Sequence, residues 1–306
     1  MKVYIITSAK FEECYIEEWV KYHLNLGFDK IIINDNNPKN YPYNPKDILQ
    51  KYIDAEQVIV ERYYDTHNII DCKYPDSDIP NIYTWLYNKY KDEFDWVAKL
   101  DIDEFLEIPE TNNDIKKFLN QDKFNNVLSL IIPLELYQVI EFNDYYTRLK
   151  NNRDKYHKIH TEYNHWTFKS IIKKTDYVNL IHLHYCIFNG TNNDLIEYAL
   201  SNGENAKTKL LINTNNSESI RNNKISEYQD YIDNILVNQI SIKHYCLKTL
   251  EEQVNHAIKF EANKYPNFHL YNGYKEFYKY HPEMFEHPRD LYKLYFIDNI
   301  NNIRED

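Results

Sequence analysis

Apolar positions along the first hundred residues follow two rhythms. Residues 3–7 (V-Y-I-I-T) are a short β-branched run of the kind that makes a buried strand. Between residues 12 and 26 the period lengthens: Ile16, Trp19, Val20, His23 and Leu24 fall at helical spacing. Acidic residues occupy the first turn of that helix, and Gly27 stands just past its end as a C-cap. Residues 31–33 read as a second buried strand ending in a polar turn over 34–38. Residues 47–53 read as a short helix and 58–60 as a third strand. The order β-α-β-α-β predicts a parallel sheet with right-handed crossovers.

Farther along, residues 79–94 predict a helix with Pro80 in its first turn. Residues 96–100 predict a fourth strand and 127–132 a fifth. Residues 143–165 are polar and aromatic without clear period. Short strands are expected at 170–172 and 180–184, a late strand at 240–244, and helices at 250–262 and 289–299. Residues 189–223, rich in Asn, Ser and Thr, read as a long loop with one short helix near 195–200. No internal repeat is found.

Composition narrows the chemistry. Glycine accounts for only 4 of 306 residues, far below a usual share of roughly 7%. Neither a P-loop nor a G-x-G-x-x-G turn can be built, so any bound nucleotide must be held another way. The net charge of −11 comes without a basic stripe, which argues against nucleic acid as a partner. No run approaches the ~20 apolar residues of a membrane span, and the N-terminal residues lack a signal-peptide layout. The expectation is a soluble cytoplasmic protein. Its four cysteines, Cys14, Cys72, Cys186 and Cys246, are then reduced thiols, with no C-x-x-C pair to suggest zinc.

Candidate chemistry gathers at strand ends. The segment W-V-A-K-L-D-I-D-E-F over 96–105 runs a buried strand into Asp-x-Asp-Glu. Ligands of open α/β sheets bind at the carboxyl ends of strands. Asp101 and Asp103 there offer hard oxygens to Mn²⁺ or Mg²⁺, which would clamp a diphosphate. In I-S-I-K-H-Y-C-L-K over 240–248, His244 stands at another strand end as a candidate nitrogen ligand. Lys248, before a capping box of Thr249 and Glu252, is a candidate phosphate partner. In I-H-L-H-Y over 181–185, alternation would put His182 and His184 on one strand face, making His184 the rival metal ligand. Asp35, ending the second strand, is equally suited to a ribose or base contact and to an Asx turn.

These motifs resemble, in the same order, those of GT-A glycosyltransferases of the family 2/family 92-like group. The matching pieces are E-E-W-V-K-Y-H over 17–23 with Leu26-Gly27-Phe28, the strand running from Ile31 to Asn36, D-I-D-E-F over 101–105, and H-Y-x-x-K-T-x-E-E over 244–252. The resemblance spans most of residues 3–262. It implies a GT-A fold with a mostly parallel central sheet flanked by helices. The nucleotide-binding half would lie over about 1–110, the acceptor and metal half over about 111–262, and a helical extension over 263–306. It also implies a nucleotide-diphosphate sugar donor, UDP-linked, a glycan or other hydroxyl acceptor, and Mn²⁺. Carried over, Asp101 and Asp103 hold the metal or ribose, with Asp103 the more direct ligand. His244 completes the metal shell, Lys248 meets the diphosphate, and Thr7 and Asp35 line the uridine pocket. Thr249 departs from the family's Ser. The catalytic base has no clear match, and Glu135 past the fifth strand is the candidate. Two rival functions use the same residues: a metal-dependent phosphohydrolase or nucleotidyltransferase, and a catalytically silent carbohydrate-binding module.

Overall fold

The computed structural model describes residues 1–10, 12–13, 15–37, 43–66, 75–139, 156–158, 168–182, 184–206 and 236–247. Their first part follows the expected order: β1 (Val3–Ala9), α1 (Ile16–Asn25), β2 (Lys30–Asp35), α2 (Pro45–Asp54) and β3 (Val58–Glu61). Helix α1 buries Ile16, Trp19, Val20 and His23. It stops at Gly27, whose φ of +96° a side chain would strain. Helix α2 starts where Asn44 accepts a hydrogen bond from the Lys46 N–H, with Pro45 in the first turn.

A single helical turn, α3 (Tyr63–Thr66), precedes α4 (Pro75–Tyr90) and β4 (Trp96–Lys99). Then come β5 (Glu104–Glu107), α5 (Ile115–Leu119), β6 (Ser129–Val139), β7 (Tyr156–Lys158), β8 (Phe168–Lys173), the hairpin β9 (Val178–Ile181) and β10 (Cys186–Phe188), and β11 (Ser241–Leu247).

The main sheet has the order β3-β2-β1-β4-β8-β6-β11-β5, with β7 paired to β6. Strands β1, β2, β3, β4, β6 and β11 run one way; β5, β7 and β8 run the other. The architecture is therefore α/β with a mostly parallel central sheet flanked by helices. Strand alternation divides the apolar residues between two cores. Val3, Ile5, Ile31, Ile33 and Ala98 face Trp19, Val20, Leu49 and Phe118. Tyr4, Ile6, Ile32 and Val97 face Ile82, Leu86 and Tyr87 of α4 and Cys186 of the hairpin.

Several expected boundaries move. Helix α4 begins at Pro75, which places Pro80 inside it rather than in its first turn, where its missing N–H costs a helical hydrogen bond. Strand β6 continues to Val139, so Glu135 lies within it rather than past its end. Strand β9 stops at Ile181, and the His182 N–H bonds the Tyr185 carbonyl across a turn. His182 and His184 therefore share no strand face. No helix forms near 195–200; Ile196 and Ala199 instead make isolated bridges to Val127 and Leu130. The edge strand β5 is not foreseen by the apolar pattern. The helices expected at 250–262 and 289–299, and the extension over 263–306, lie outside the described residues. No helix among the described residues is long and apolar enough to cross a membrane. Cys186 is a free, buried thiol.

Candidate active site at the carboxyl ends of the strands

Six strands running the same way present their carboxyl ends along one sheet edge, where open α/β sheets bind ligands. Asp101 follows β4 directly. Antiparallel β8 and β5 begin at this edge and add Lys169 and Glu104. Register pairs Glu104 with His244 of β11.

The centre is a compact set of charges. Asp101 Oδ1 lies 2.7 Å from Lys99 Nζ, and its Oδ2 lies 2.5 Å from Lys169 Nζ. Lys169 also ion-pairs with Glu104 Oε1 at 2.9 Å. Both lysine side chains are 2% exposed, whereas that of Asp101 is 37% exposed. Asp101 thus sits at the surface with two ammonium groups behind it. The Tyr83 hydroxyl donates to Asp101 Oδ1 at 3.4 Å, and the Lys99 ammonium lies over the Tyr83 ring. Two buried cations and two carboxylates balance, as burial of charge requires.

Titration behaviour follows from these neighbours. Burial tends to raise the Asp101 pKa, but Lys169 and Lys99 outweigh it and hold the carboxyl well below its ordinary range. Lys99 is pushed down to about 8 by burial, which Asp101 opposes and Lys169 reinforces. Burial raises the Tyr83 pKa, as do the charges of Asp101 and Glu104.

Asp103, two residues on, has different company. Its carbonyl accepts the Tyr245 N–H at 3.0 Å, and its Oδ1 lies 3.7 Å from His244 Nε2. Burial alone would lower the His244 pKa, but the Asp103 carboxylate overrides this and raises it. The structure thus brings Asp103 to His244, which lies within β11 rather than at its end, while Asp101 is held by Lys99 and Lys169.

The remaining candidates divide. The His184 ring Nδ1 faces the Phe168 carbonyl at 3.2 Å, so that nitrogen carries the proton and Nε2 the lone pair. Burial first, then the charges of Lys169 and Lys99, lower its pKa to about 3. Thr7 is fully buried on β1, and its Oγ1 has no hydrogen-bond partner among the described residues. At the end of β2, Asp35 accepts the Asn37 N–H on Oδ1 and Arg62 Nη1 on Oδ2, each at 3.0 Å. That is Asx-turn chemistry locked by an arginine.

Glu135 is not brought to this cluster. Ser241 donates to it at 2.6 Å, and register pairs it with Lys243 while Leu136 pairs with His244. Glu135 and His244 therefore point to opposite faces of the sheet. Lys248 lies outside the described residues.

Sequence reasoning missed Lys99, Lys169, Tyr83 and Arg62. A signal existed for the lysines: each interrupts an apolar strand, W-V-A-K-L and F-K-S-I-I, where an ammonium must find a carboxylate.

The E-W-x-x-Y-H residues take a supporting place. Trp19 Nε1 donates to the Glu104 carbonyl and the Tyr22 hydroxyl to the Leu106 carbonyl, both at 2.8 Å. The Leu106 N–H donates to His23 Nε2 at 3.4 Å, while His23 Nδ1 bonds the Trp19 carbonyl at 2.9 Å. Strand β5 ends the sheet order, and α1 supplies partners for its outer edge.

No protein-family model and no curated protein matches the chain. Among solved structures, it is similar to S. aureus TarS 1-349, with 13% identity over 57% of this chain and 47% of that one, and a TM-score of 0.31. For a longer TarS structure the share of that chain is 22%, so this chain spans less than half of either. It is also similar to the galactosyltransferase LgtC in complex with donor and acceptor sugar analogs, with 11% identity over 79% and 87% of the two chains and a TM-score of 0.32. A third is a glycosyltransferase involved in the glycosylation of the major capsid of PBCV-1, with 10% identity over 82% and 98% and a TM-score of 0.30. At these scores the likeness fixes no activity, and a functional reading of this chain rests on its own site.

Proposed function

We propose that the chain is a glycosyltransferase of GT-A type that moves a sugar from a nucleotide-diphosphate donor, UDP-linked, to a glycan or other hydroxyl acceptor. The observation that carries this reading is the Asp101–Glu104 turn at the carboxyl edge of the sheet, with Asp103 Oδ1 3.7 Å from His244 Nε2. The order of motifs from Glu17 to Glu252 supports it.

The residues fit a divalent cation in one place. Two atoms that each ligate a small cation at ~2.1 Å lie at most about 4.2 Å apart, so the Asp103–His244 separation admits one. Asp101, with an ammonium on each oxygen, fits a hydroxyl or a second-sphere role better than direct ligation. Among the described residues no group of three or more His, Cys, Asp or Glu could hold a metal ion. Donor phosphate oxygens and water would then complete the shell, as is common for Mg²⁺.

When bound, Mn²⁺ or Mg²⁺ would stabilise the negative charge that collects on the departing diphosphate. Asp103 and His244 hold the cation. Lys99 and Lys169 keep Asp101 ionised and fixed in place. Lys248 is proposed to meet the diphosphate. Departure of the diphosphate breaks the glycosidic bond, and the acceptor hydroxyl loses its proton to a general base as it bonds the anomeric carbon. Glu135, the candidate for that base, accepts a hydrogen bond from Ser241 on the sheet face opposite His244.

Thermal shift with UDP, GDP, CDP, CMP and ADP, each with and without Mn²⁺, tests the reading. A ligand at 100 times its Kd adds about 2.7 kcal/mol. A UDP shift that needs Mn²⁺ is expected. A Mn²⁺-dependent shift with another nucleotide alone would move the donor assignment. No shift with any nucleotide would refute the transferase reading. Product analysis separates the rival phosphohydrolase, which would release phosphate or pyrophosphate in place of UDP.

A further inference from the structure

We propose that Lys169 is a positioning residue of this site: its buried ammonium ties the first and last residues of the Asp101–Glu104 turn together and so places Asp103 opposite His244. The inference rests on the preceding reading only in taking this turn as the reacting one.

The turn is closed by three kinds of contact. The Glu104 N–H donates to the Asp101 carbonyl at 3.0 Å, and the Asp101 N–H donates to Glu104 Oε2 at 2.9 Å. The Tyr245 N–H anchors the Asp103 carbonyl to β11 at 3.0 Å. The third contact, like that of Tyr245, comes from outside the turn. Lys169 Nζ reaches Asp101 Oδ2 at 2.5 Å and Glu104 Oε1 at 2.9 Å.

Lys99 does not duplicate that bridge. It stands two residues before Asp101 on the same segment and reaches Asp101 Oδ1. Lys169 belongs to β8, which lies between β4 and β6. Its two ion pairs link the turn to antiparallel β8.

The side chain of Lys169 is 2% exposed, so its role is exerted through Asp101 and Glu104 rather than on substrate. Without it, two carboxylates held close by the turn would face each other with Lys99 as the remaining cation. Their repulsion would open the turn and carry Asp103 away from His244.

Hydrogen–deuterium exchange on the full chain tests this without any donor or cation. In Lys169→Met, peptides covering 100–107 are expected to lose protection at least tenfold, while those covering 3–9 and 30–35 stay within twofold of wild type. Lys169→Arg, which keeps the charge, is expected to retain protection at 100–107. Should Lys169→Met fail to fold, Lys169→Gln, which keeps a polar head but supplies no charge between the two carboxylates, carries the same test. Full protection at 100–107 in the folded variant would overturn the proposal. So would equal loss over all peptides, since that describes general destabilisation. An absence of Mn²⁺ binding by wild type would refute the cation assignment and leave the exchange result to judge Lys169 by itself.

Discussion

Asp101 and Asp103 are two residues apart, and the fold gives them opposite surroundings. Asp101 has an ammonium on each oxygen; Asp103 has an imidazole 3.7 Å away. Substitution should therefore separate them. Asp103→Asn is expected to weaken Mn²⁺ binding by ~10-fold or more, in the range seen when a metal site loses a supporting group, and to abolish UDP release. Asp101→Asn is expected to change Mn²⁺ affinity by less than about threefold, since its charge is already matched locally. Titration followed by electron paramagnetic resonance of free Mn²⁺ measures both. Equal losses would show that Asp101 ligates directly.

His184 makes a second prediction at this scale. Its folded pKa of about 3 lies below the ordinary 6.5, because burial and two nearby lysines disfavour the charged ring. The unfolded chain therefore binds a proton that the folded one rejects. This neutral histidine costs no stability above pH 6.5, and stability falls as pH drops from 6.5 towards 3. Chemical denaturation at pH 7 and pH 5 should show a smaller loss in His184→Asn than in wild type.

At the scale of elements, α1 and β5 explain why two motifs far apart in sequence belong together. The outer edge of β5 would otherwise expose the carbonyls of Glu104 and Leu106 and the Leu106 N–H; Trp19, Tyr22 and His23 meet all three. One helix face thus acts as the missing neighbour strand for the segment that carries Asp103 and Glu104. Trp19→Phe keeps most of the apolar ring and leaves a buried carbonyl without its donor, so it should cost about 1–3 kcal/mol. Urea denaturation measures the cost, and a change within ~0.5 kcal/mol would show that the bond is replaced by water or relaxation. The E-W-x-x-Y-H pattern reads from the sequence as an amphipathic helix face. What that face holds is not legible, because the partner carbonyls lie more than 80 residues away.

Across the whole molecule, the sheet separates two cores that share no side of it. Ile33 packs with α1 and α2, and Leu86 of α4 packs on the opposite face. Ile33→Val should cost ~0.5–1.5 kcal/mol and Leu86→Ala ~2–5 kcal/mol. The double variant should equal their sum within ~0.5 kcal/mol, as for sites without common neighbours. A larger coupling, measured by denaturant midpoints at constant slope, would mean the sheet transmits strain between its faces.

What the sequence by itself determined is local and periodic. The strands 3–7, 31–33, 58–60 and 96–100, the helices between them and the break at Gly27 follow from alternation, helical spacing and a residue free to take positive φ. The position of Asp101 and Asp103 at a strand end follows too, because the apolar run stops there. Tertiary structure decided what depends on distant pairing. It carried β6 through Glu135 by pairing it with β8 and β11, and it ended β9 before His182 by closing a hairpin. It also inserted antiparallel β8 between β4 and β6, which brings Lys169 to Asp101 across 68 residues. Periodicity records which side of an element is buried; the charge that must be met on that side is supplied by whichever strand the topology places next to it.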